Sequence, residues 1–214
     1  MPKVKICGNT RAADLQLAAQ LGADYLGLIF TESKRRVSSD TARTLIRSLP
    51  NFKNFVAVFA NQPKEEVERI VHDLGIRILQ FHGEETALYC HFFMEKGYEV
   101  VKTFRIKDKM GLKRIDEYNV SAFLFDTYTS ETKGGAGIPF DWELIEDRPY
   151  VHEKLFLAGG LNVTNLRKAI QKVRPFAVDV ASGVEKSPGE KDPKLLEEFI
   201  RIAKEEEERA WARK

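Results

Sequence analysis

Cysteine is scarce in this chain: only Cys7 and Cys90 occur among 214 residues. Two cysteines so far apart do not make a disulfide framework, and they lack the paired spacing of a zinc site. We therefore predict no metal centre. Such low cysteine content is typical of a reduced compartment, so we expect a cytoplasmic protein. Each cysteine is then either a small packing residue or a reactive thiol, and its position has to decide which.

Long apolar runs and an imbalance of charge are also missing. The longest apolar runs, such as FVAVFA at 55–60, have the length of a strand and cannot span a bilayer. The formal net charge is only +2, which indicates neither a nucleic-acid partner nor an anionic membrane. The first residues, MPKVKICG, already resemble a strand, so we expect no signal peptide. The expected partner is therefore neither nucleic acid nor membrane.

The sequence does contain a regular alternation of short β-rich runs and helical stretches. The predicted strands are Val4–Cys7, Tyr25–Ile29, Phe55–Phe59, Ile78–Phe81, Glu99–Phe104, Ala122–Asp126, Lys154–Ala158 and Ala177–Ala181. The predicted helices are Arg11–Leu21, Asp40–Leu49, Lys64–Leu74, Glu84–Lys96, Leu112–Tyr118, Asp141–Glu146, Val163–Val173 and Lys194–Glu208. Strands that alternate with helices pair in parallel through right-handed crossovers.

Eight β/α units in 214 residues predict an α/β fold, a single-domain (β/α)₈ TIM barrel over residues 1–214. The alternative is a doubly wound open sheet, but such sheets usually have fewer strands, and the first βα turn here lacks a GxGxxG fingerprint. Active sites of TIM barrels lie at the carboxyl ends of the strands. These ends are Cys7, Phe30, Asn61, His82, Thr103, Asp126, Gly159 and the segment 179–182.

Strand alternation places a lysine and a cysteine on one inward face. Lys5 and Cys7 share this face because side chains alternate with period two. A buried lysine needs a partner, and Asp179 on the neighbouring eighth strand can supply it. The expected polar cluster at the mouth comprises Lys5, Cys7, Asp126 and Asp179. There the ammonium is expected to lower the pKa of the thiol. In the alternative, Lys5 and Asp179 form a structural ion pair and Cys7 only packs.

Glycines follow the last two predicted strands. Gly159 and Gly160 stand in the turn after strand 7, and Ser182 and Gly183 stand just after strand 8. Exposed backbone N–H groups bind anions, and the loops after strands 7 and 8 are the frequent phosphate site of this barrel. We therefore predict a phosphate site there, with ordinary turn chemistry as the alternative.

Three further stretches border the predicted mouth. In FTESKRRVS at 30–38, Arg35 or Arg36 can hold a carboxylate in bidentate fashion, or the loop is simply solvated. His82 ends strand 4 as a polar contact or as a turn residue. The stretch LFDTYTSETKGGAGIPFDW at 124–142 contains a long loop that can close over a ligand and exclude water. Its glycines are also compatible with an ordinary turn.

Taken together, these stretches resemble the phosphoribosylanthranilate isomerase family of the tryptophan pathway. The matching stretches are KICGNT at 5–10, ESKRRVS at 32–38, VAVFAN at 56–61, QFHGEE at 80–85, FDTYTSETKGGAGIPFDW at 125–142, LAGGLNVTN at 157–165 and VDVASGVEKSPGEKD at 178–192. They run along the whole chain in family order. Ala136 and Phe81 depart from the family pattern, which more often has threonine and leucine there. Neither position needs a reactive group.

The resemblance implies a (β/α)₈ barrel that catalyses the Amadori rearrangement of N-(5-phosphoribosyl)anthranilate, a small phosphorylated substrate, without a metal or organic cofactor. By family analogy Cys7 is the general base and Asp126 is the general acid, which must carry its proton when it acts. Arg36 would hold the anthranilate carboxylate, and the glycine turns would hold the phosphate. His82 and Asp179 are further candidates for substrate binding.

Two rival functions are weighed against this one. Indole-glycerol-phosphate synthase is another barrel with similar phosphate loops, but its chemistry requires lysine and glutamate at the strand ends, where this chain has Cys7 and Asp126. A non-catalytic barrel that binds phosphorylated ligands would not need this pair.

Both a monomer and a homodimer remain compatible with the sequence, because an apolar helix face can pack within the chain or against a partner.

Overall fold

A computed structural model describes residues 2–106, 114–127 and 151–211 of the chain. In this described part, eight parallel strands pair in sequence order, and the first pairs with the last to close a barrel. The strands are β1 (Lys3–Ile6), β2 (Tyr25–Ile29), β3 (Phe55–Phe59), β4 (Ile78–Phe81), β5 (Glu99–Ile106), β6 (Ala122–Thr127), β7 (Leu155–Leu157) and β8 (Ala177–Val180). The predicted (β/α)₈ barrel is confirmed, and the open sheet was the wrong alternative.

Helices connect the strands around the outside of the barrel. They are α1 (Ala12–Gln20), α2 (Ser39–Arg47), α3 (Lys64–Leu74), α4 (Ala87–Glu95), a 3₁₀ turn (Arg114–Glu117), α5 (Val151–Lys154), α6 (Leu166–Val173) and α7 (Pro193–Trp211). A two-stranded ribbon, Glu185–Ser187 with Glu190–Lys191, follows β8. The predicted helix Asp141–Glu146 and the loop after β6 from residue 128 onward lie outside the described residues.

Helix boundaries differ from the prediction where a side chain caps the backbone. The helix predicted over Glu84–Lys96 begins only at Ala87, because the Thr86 hydroxyl accepts a hydrogen bond from the Tyr89 amide. Similarly, α6 begins three residues later than predicted, after a turn in which asparagine side chains bind backbone groups. No helix among the described residues is both long and apolar enough to cross a membrane.

Because side chains alternate along each strand, the strands contribute to two apolar regions, one on each side of the barrel wall. The larger one lies between the barrel wall and the helices, and the smaller one fills the barrel interior with Val56, Val58, Ile78, Val101, Leu124, Phe156 and Ala177, among others. Four buried polar side chains alternate with these interior residues: Lys5, Gln80, Thr103 and Asp179. Because a TIM-barrel interior is packed in layers, polar residues in the layer nearest the carboxyl ends form the floor of a site.

Candidate active site

The carboxyl ends of the strands surround a cavity of about 220 Å³. Every predicted site residue except Arg36 lines it: Cys7, His82, Asp126, Gly159, Gly160, Asp179, Ser182 and Gly183. Ile29, Val58 and Leu124 add apolar surface to the same wall. The cavity therefore combines titratable groups on one set of strands with glycine turns on another.

Lys5 and Asp179 form a buried ion pair on the floor of this cavity. They are direct partners in the β1–β8 register, and Lys5 Nζ donates to Asp179 Oδ1 at 2.8 Å. Lys5 is 1% exposed and Asp179 is 9% exposed. Burial alone would lower the pKa of Lys5, but the Asp179 carboxylate and, to a smaller extent, Cys7 together outweigh it and raise that pKa. The pair therefore keeps a positive charge beside Cys7.

The thiol of Cys7 is almost fully enclosed, with 6% of the residue exposed. Burial raises the pKa of the Cys7 thiol; the Lys5 ammonium opposes this shift without reversing it, and the Asp179 carboxylate reinforces it. The prediction of a lowered thiol pKa is therefore wrong in its net direction, since desolvation outweighs the neighbouring charge. A raised pKa favours the protonated thiol at neutral pH.

Asp126 lies at the end of β6 and faces His82 rather than Lys5. Its Oδ2 is 3.3 Å from His82 Nε2, and its side chain is 29% exposed. His82 Nδ1 lies 3.1 Å from Gln80 Nε2, which also donates to Thr103 Oγ1 at 3.3 Å. The expected cluster of four is thus divided: Lys5, Cys7 and Asp179 lie together, whereas Asp126 faces His82, because β6 is adjacent to neither β1 nor β8 in the closed barrel.

The two glycine turns meet at the rim of the cavity. Gly159 and Gly160 have φ angles of 82° and 68°, a region that glycine adopts without strain. The Gly160 carbonyl accepts a hydrogen bond from Asn165 Nδ2 at 2.9 Å, which fixes the first turn. In the second turn, a Cβ on Gly183 would overlap the carbonyl oxygen of Leu161. Glycine at this position therefore lets the second turn pack directly against the first.

Comparison with known proteins matches this site and fold to one family. A family model described as N-(5'-phosphoribosyl)anthranilate (PRA) isomerase matches residues 4–202. The chain belongs to the phosphoribosylanthranilate isomerase family. A protein named N-(5'-phosphoribosyl)anthranilate isomerase from Pelobacter propionicus is 41% identical over 206 residues, which cover 96% of this chain and 97% of that protein.

Two solved structures support the same assignment. The crystal structure of phosphoribosylanthranilate isomerase from Thermotoga maritima has a TM-score of 0.86 and 38% identity, and covers 96% of this chain and 100% of that one. A structure of such an isomerase in complex with reduced 1-(o-carboxyphenylamino)-1-deoxyribulose 5-phosphate has a TM-score of 0.82 and 36% identity, with the same coverage. As a phosphoribosylanthranilate isomerase, the chain converts N-(5'-phosphoribosyl)anthranilate to 1-(2-carboxyphenylamino)-1-deoxyribulose 5-phosphate in tryptophan biosynthesis.

In this isomerase, the two arginines after β2 have different surroundings. Arg35 binds Glu185 through two parallel hydrogen bonds, Nε to Oε1 at 2.8 Å and Nη2 to Oε2 at 2.6 Å. Arg36 does not line the cavity; its side chain is exposed, and its backbone bridges to Ile29 on the cavity wall. Arg35 is therefore occupied, which leaves Arg36 available for a ligand.

Sequence reasoning missed a second buried ion pair behind the site. Lys191 Nζ donates to the Cys7 carbonyl at 2.6 Å and to Glu185 Oε1 at 3.0 Å. Burial alone would raise the pKa of Glu185, but hydrogen bonds from Arg35 and the charge of Lys191 hold it below its ordinary value. Both residues stand in the family motif SGVEKSPGEKD, but their contacts form only when the ribbon after β8 folds back on β1.

Gln80 is the other residue that sequence reasoning missed. It lines the cavity and shares an inward face of β4 with Ile78, so strand alternation could have found it. Among the described residues, no group of three His, Cys, Asp or Glu side chains is placed to hold a metal ion.

Proposed function

We propose that Cys7 is the general base and Asp126 the general acid of the isomerisation. One observation carries this proposal: both side chains line the same cavity, Cys7 directly after β1 and Asp126 on β6, and these strands are not neighbours. A base and an acid that act on one sugar from different sides need this kind of separation. General acid–base groups typically contribute about 10²- to 10⁴-fold to a rate.

The reaction divides into two proton transfers. Asp126 donates its proton to the ring oxygen as the C1–O bond breaks, which opens the furanose and leaves a protonated Schiff base. Cys7, as the thiolate, then removes the proton from C2, and the resulting enolamine tautomerises to the ketone. Because burial raises the pKa of the Cys7 thiol, this thiol has to lose its proton before it can act as the base.

The substrate ends are assigned to different parts of the rim. The phosphate is held by backbone N–H groups of Gly159, Gly160 and the turn at Ser182 and Gly183. Arg36 holds the anthranilate carboxylate, which its planar guanidinium can bind in bidentate fashion. His82 and Asp179 contact the sugar. The ligand of the related structure carries both a phosphate and a carboxyphenyl group, which supports a site with two anion-binding ends.

A fluorescence assay tests the two catalytic assignments. Substrate fluorescence is followed with wild-type protein, Cys7→Ser and Asp126→Asn, and each variant is expected to lose about 10²- to 10⁴-fold in kcat. Cys90→Ser is the matched control for the thiol, because Cys90 is buried outside the cavity. Full activity of Cys7→Ser would remove the base assignment, and an inactive wild type would contradict the isomerase function itself.

Anion binding and assembly are tested separately. In crystals soaked with sulfate, we expect an anion beside Gly160 and Gly183; anions bound only elsewhere would contradict the phosphate assignment. We further propose that residues 1–214 act as one cytoplasmic catalytic domain, either as a monomer or as a homodimer; the closure of eight strands into a single barrel supports one domain. Sedimentation at assay concentration distinguishes the two states, and activity proportional to enzyme concentration is expected for either.

A further inference from the structure

A row of polar side chains crosses the cavity wall behind the proposed acid; its first two contacts are hydrogen bonds, and the last is an ion-pair contact between His82 and Asp126. It runs from Thr103 on β5 to Gln80 on β4, then to His82 and to Asp126 on β6. The three heavy-atom distances are 3.3 Å, 3.1 Å and 3.3 Å. Gln80 is 1% exposed, and neither it nor Thr103 has a part in the two proton transfers described above. The proton transfers therefore do not explain why Gln80 and Thr103 are placed behind the acid.

With the Gln80 amide oriented as in the structure, where its carbonyl oxygen is buried without a hydrogen-bond partner among the described residues, both neighbours of His82 favour the same tautomer of its ring. A carboxylate can only accept hydrogen bonds, so the nitrogen that faces ionised Asp126, Nε2, has to carry a hydrogen. The amide nitrogen of Gln80 can only donate, so the nitrogen that faces it, Nδ1, has to present its lone pair. A neutral imidazole has one donor and one acceptor nitrogen, and this arrangement satisfies both.

We propose that Gln80 is a positioning residue that keeps His82 in the Nε2–H tautomer, with this N–H directed at Oδ2 of Asp126. Thr103 supports the arrangement, since it accepts the second hydrogen of the Gln80 amide. Oδ2 of Asp126 is then occupied as an acceptor whatever the protonation state of the acid.

The tautomer decides where the acid proton of Asp126 resides. With Oδ2 bound to His82, the proton is carried on Oδ1, the oxygen that remains for the substrate. In the opposite tautomer, Nε2 would present a lone pair and would accept the proton of Asp126, which would withhold it from the ring oxygen. After the proton has moved to the ring oxygen, the Nε2–H of His82 still faces the carboxylate. This inference rests on the proposed acid role of Asp126.

Nitrogen NMR of the full chain tests the tautomer directly. The protein contains four histidines, and the ring signals of His82 are identified by their loss in His82→Gln. With ¹⁵N-labelled histidine at about pH 8, above the ordinary range of imidazole protonation, we expect a protonated Nε2 and a bare Nδ1. A protonated Nδ1 with a bare Nε2 would overturn the proposal. The tautomer is read from wild-type protein, and the variant serves only to assign the signals.

Two substitutions test the role of Gln80. In Gln80→Glu a carboxylate faces Nδ1 and requires a hydrogen there, so the ring signals of His82 should change; in Gln80→Leu the preference is lost. We expect kcat to fall by about tenfold in Gln80→Glu, with KM changed less than about twofold. Gln16→Leu is the matched control, because Gln16 binds Ser48 at a distance from the cavity. Unchanged ring signals in Gln80→Glu, or a kcat no lower than that of the control, would refute the role.

The proposal and the acid assignment can fail separately. If Asp126→Asn keeps the wild-type kcat, the acid role is wrong and the catalytic purpose of Gln80 is wrong with it. If Asp126→Asn is inactive but His82 carries its proton on Nδ1, only the inference about Gln80 is wrong.

Discussion

Replacing Lys5 by methionine should destabilise the barrel strongly, because it leaves the Asp179 carboxylate buried without its partner. Removing one member of a buried ion pair typically costs about 3–5 kcal/mol. Solvent screening is weak here, since the side chains of Lys5 and Asp179 are only 1% and 10% exposed. In a chain of 214 residues, 1 kcal/mol corresponds to roughly 2–4 °C in Tm, so we expect Tm to fall by about 6–20 °C. Calorimetry or circular dichroism at neutral pH measures this shift.

The double variant Lys5→Met/Asp179→Leu is the control for this reasoning. It removes both charges and leaves apolar side chains of similar size, so it should be more stable than Lys5→Met alone. The difference between the double variant and the sum of the single variants gives the coupling between the two groups. A Tm for Lys5→Met within about 2 °C of wild type would show that the pair does not stabilise the fold as argued.

The same substitution should change the titration of the thiol. Because the Lys5 ammonium opposes the effect of burial, its removal should raise the pKa of Cys7 further, which the pH dependence of alkylation of Cys7 by iodoacetamide measures. The pKa values of Cys7 and Lys5 are both raised on folding, so the folded state binds more protons at alkaline pH. Wild-type stability should therefore decrease as pH rises above the ordinary thiol value of about 8.5. Stability that increases over this range would contradict the assignment.

Three further predictions address the site itself. A Cβ on Gly27 would lie 2.7 Å from Cys7 Sγ, so Gly27→Ala should displace the sulfur. We expect this displacement to lower kcat by up to about 100-fold, and an unchanged kcat would contradict this geometry. Iodoacetamide should alkylate Cys7 before Cys90, because burial raises the pKa of both thiols but only Cys7 lines the cavity. Peptide mass spectrometry identifies the labelled residue, and earlier labelling of Cys90 would be the opposite result. Arg36→Ala should raise KM by about tenfold with little change in kcat, because Arg36 is assigned to substrate binding. Steady-state kinetics measures both constants, and an unchanged KM would remove that assignment.

The sequence alone was sufficient for the barrel and for most of its strand positions. The predicted bounds of β2, β3 and β4 agree with the structure at both ends. Buried strands of a parallel barrel are short apolar runs bounded by turn residues, and this signal is local. Strand alternation is local too, and it correctly placed Cys7 and Asp126 on the inner face. The order of the elements then implied which ends of the strands form the mouth.

The tertiary structure decided which of the candidate groups interact. Alternation indicates a face but not a partner, so His82 was not recognised as the residue that faces Asp126, and Gln80 behind it was not identified. Which of Arg35 and Arg36 is available to bind a ligand depends on Glu185, which binds Arg35. The ribbon after β8 brings Glu185 next to Arg35 from a distant part of the chain. The net direction of the pKa shift of Cys7 also required the fold, because desolvation comes from everything that surrounds the thiol, whereas strand alternation identified only its charged neighbours.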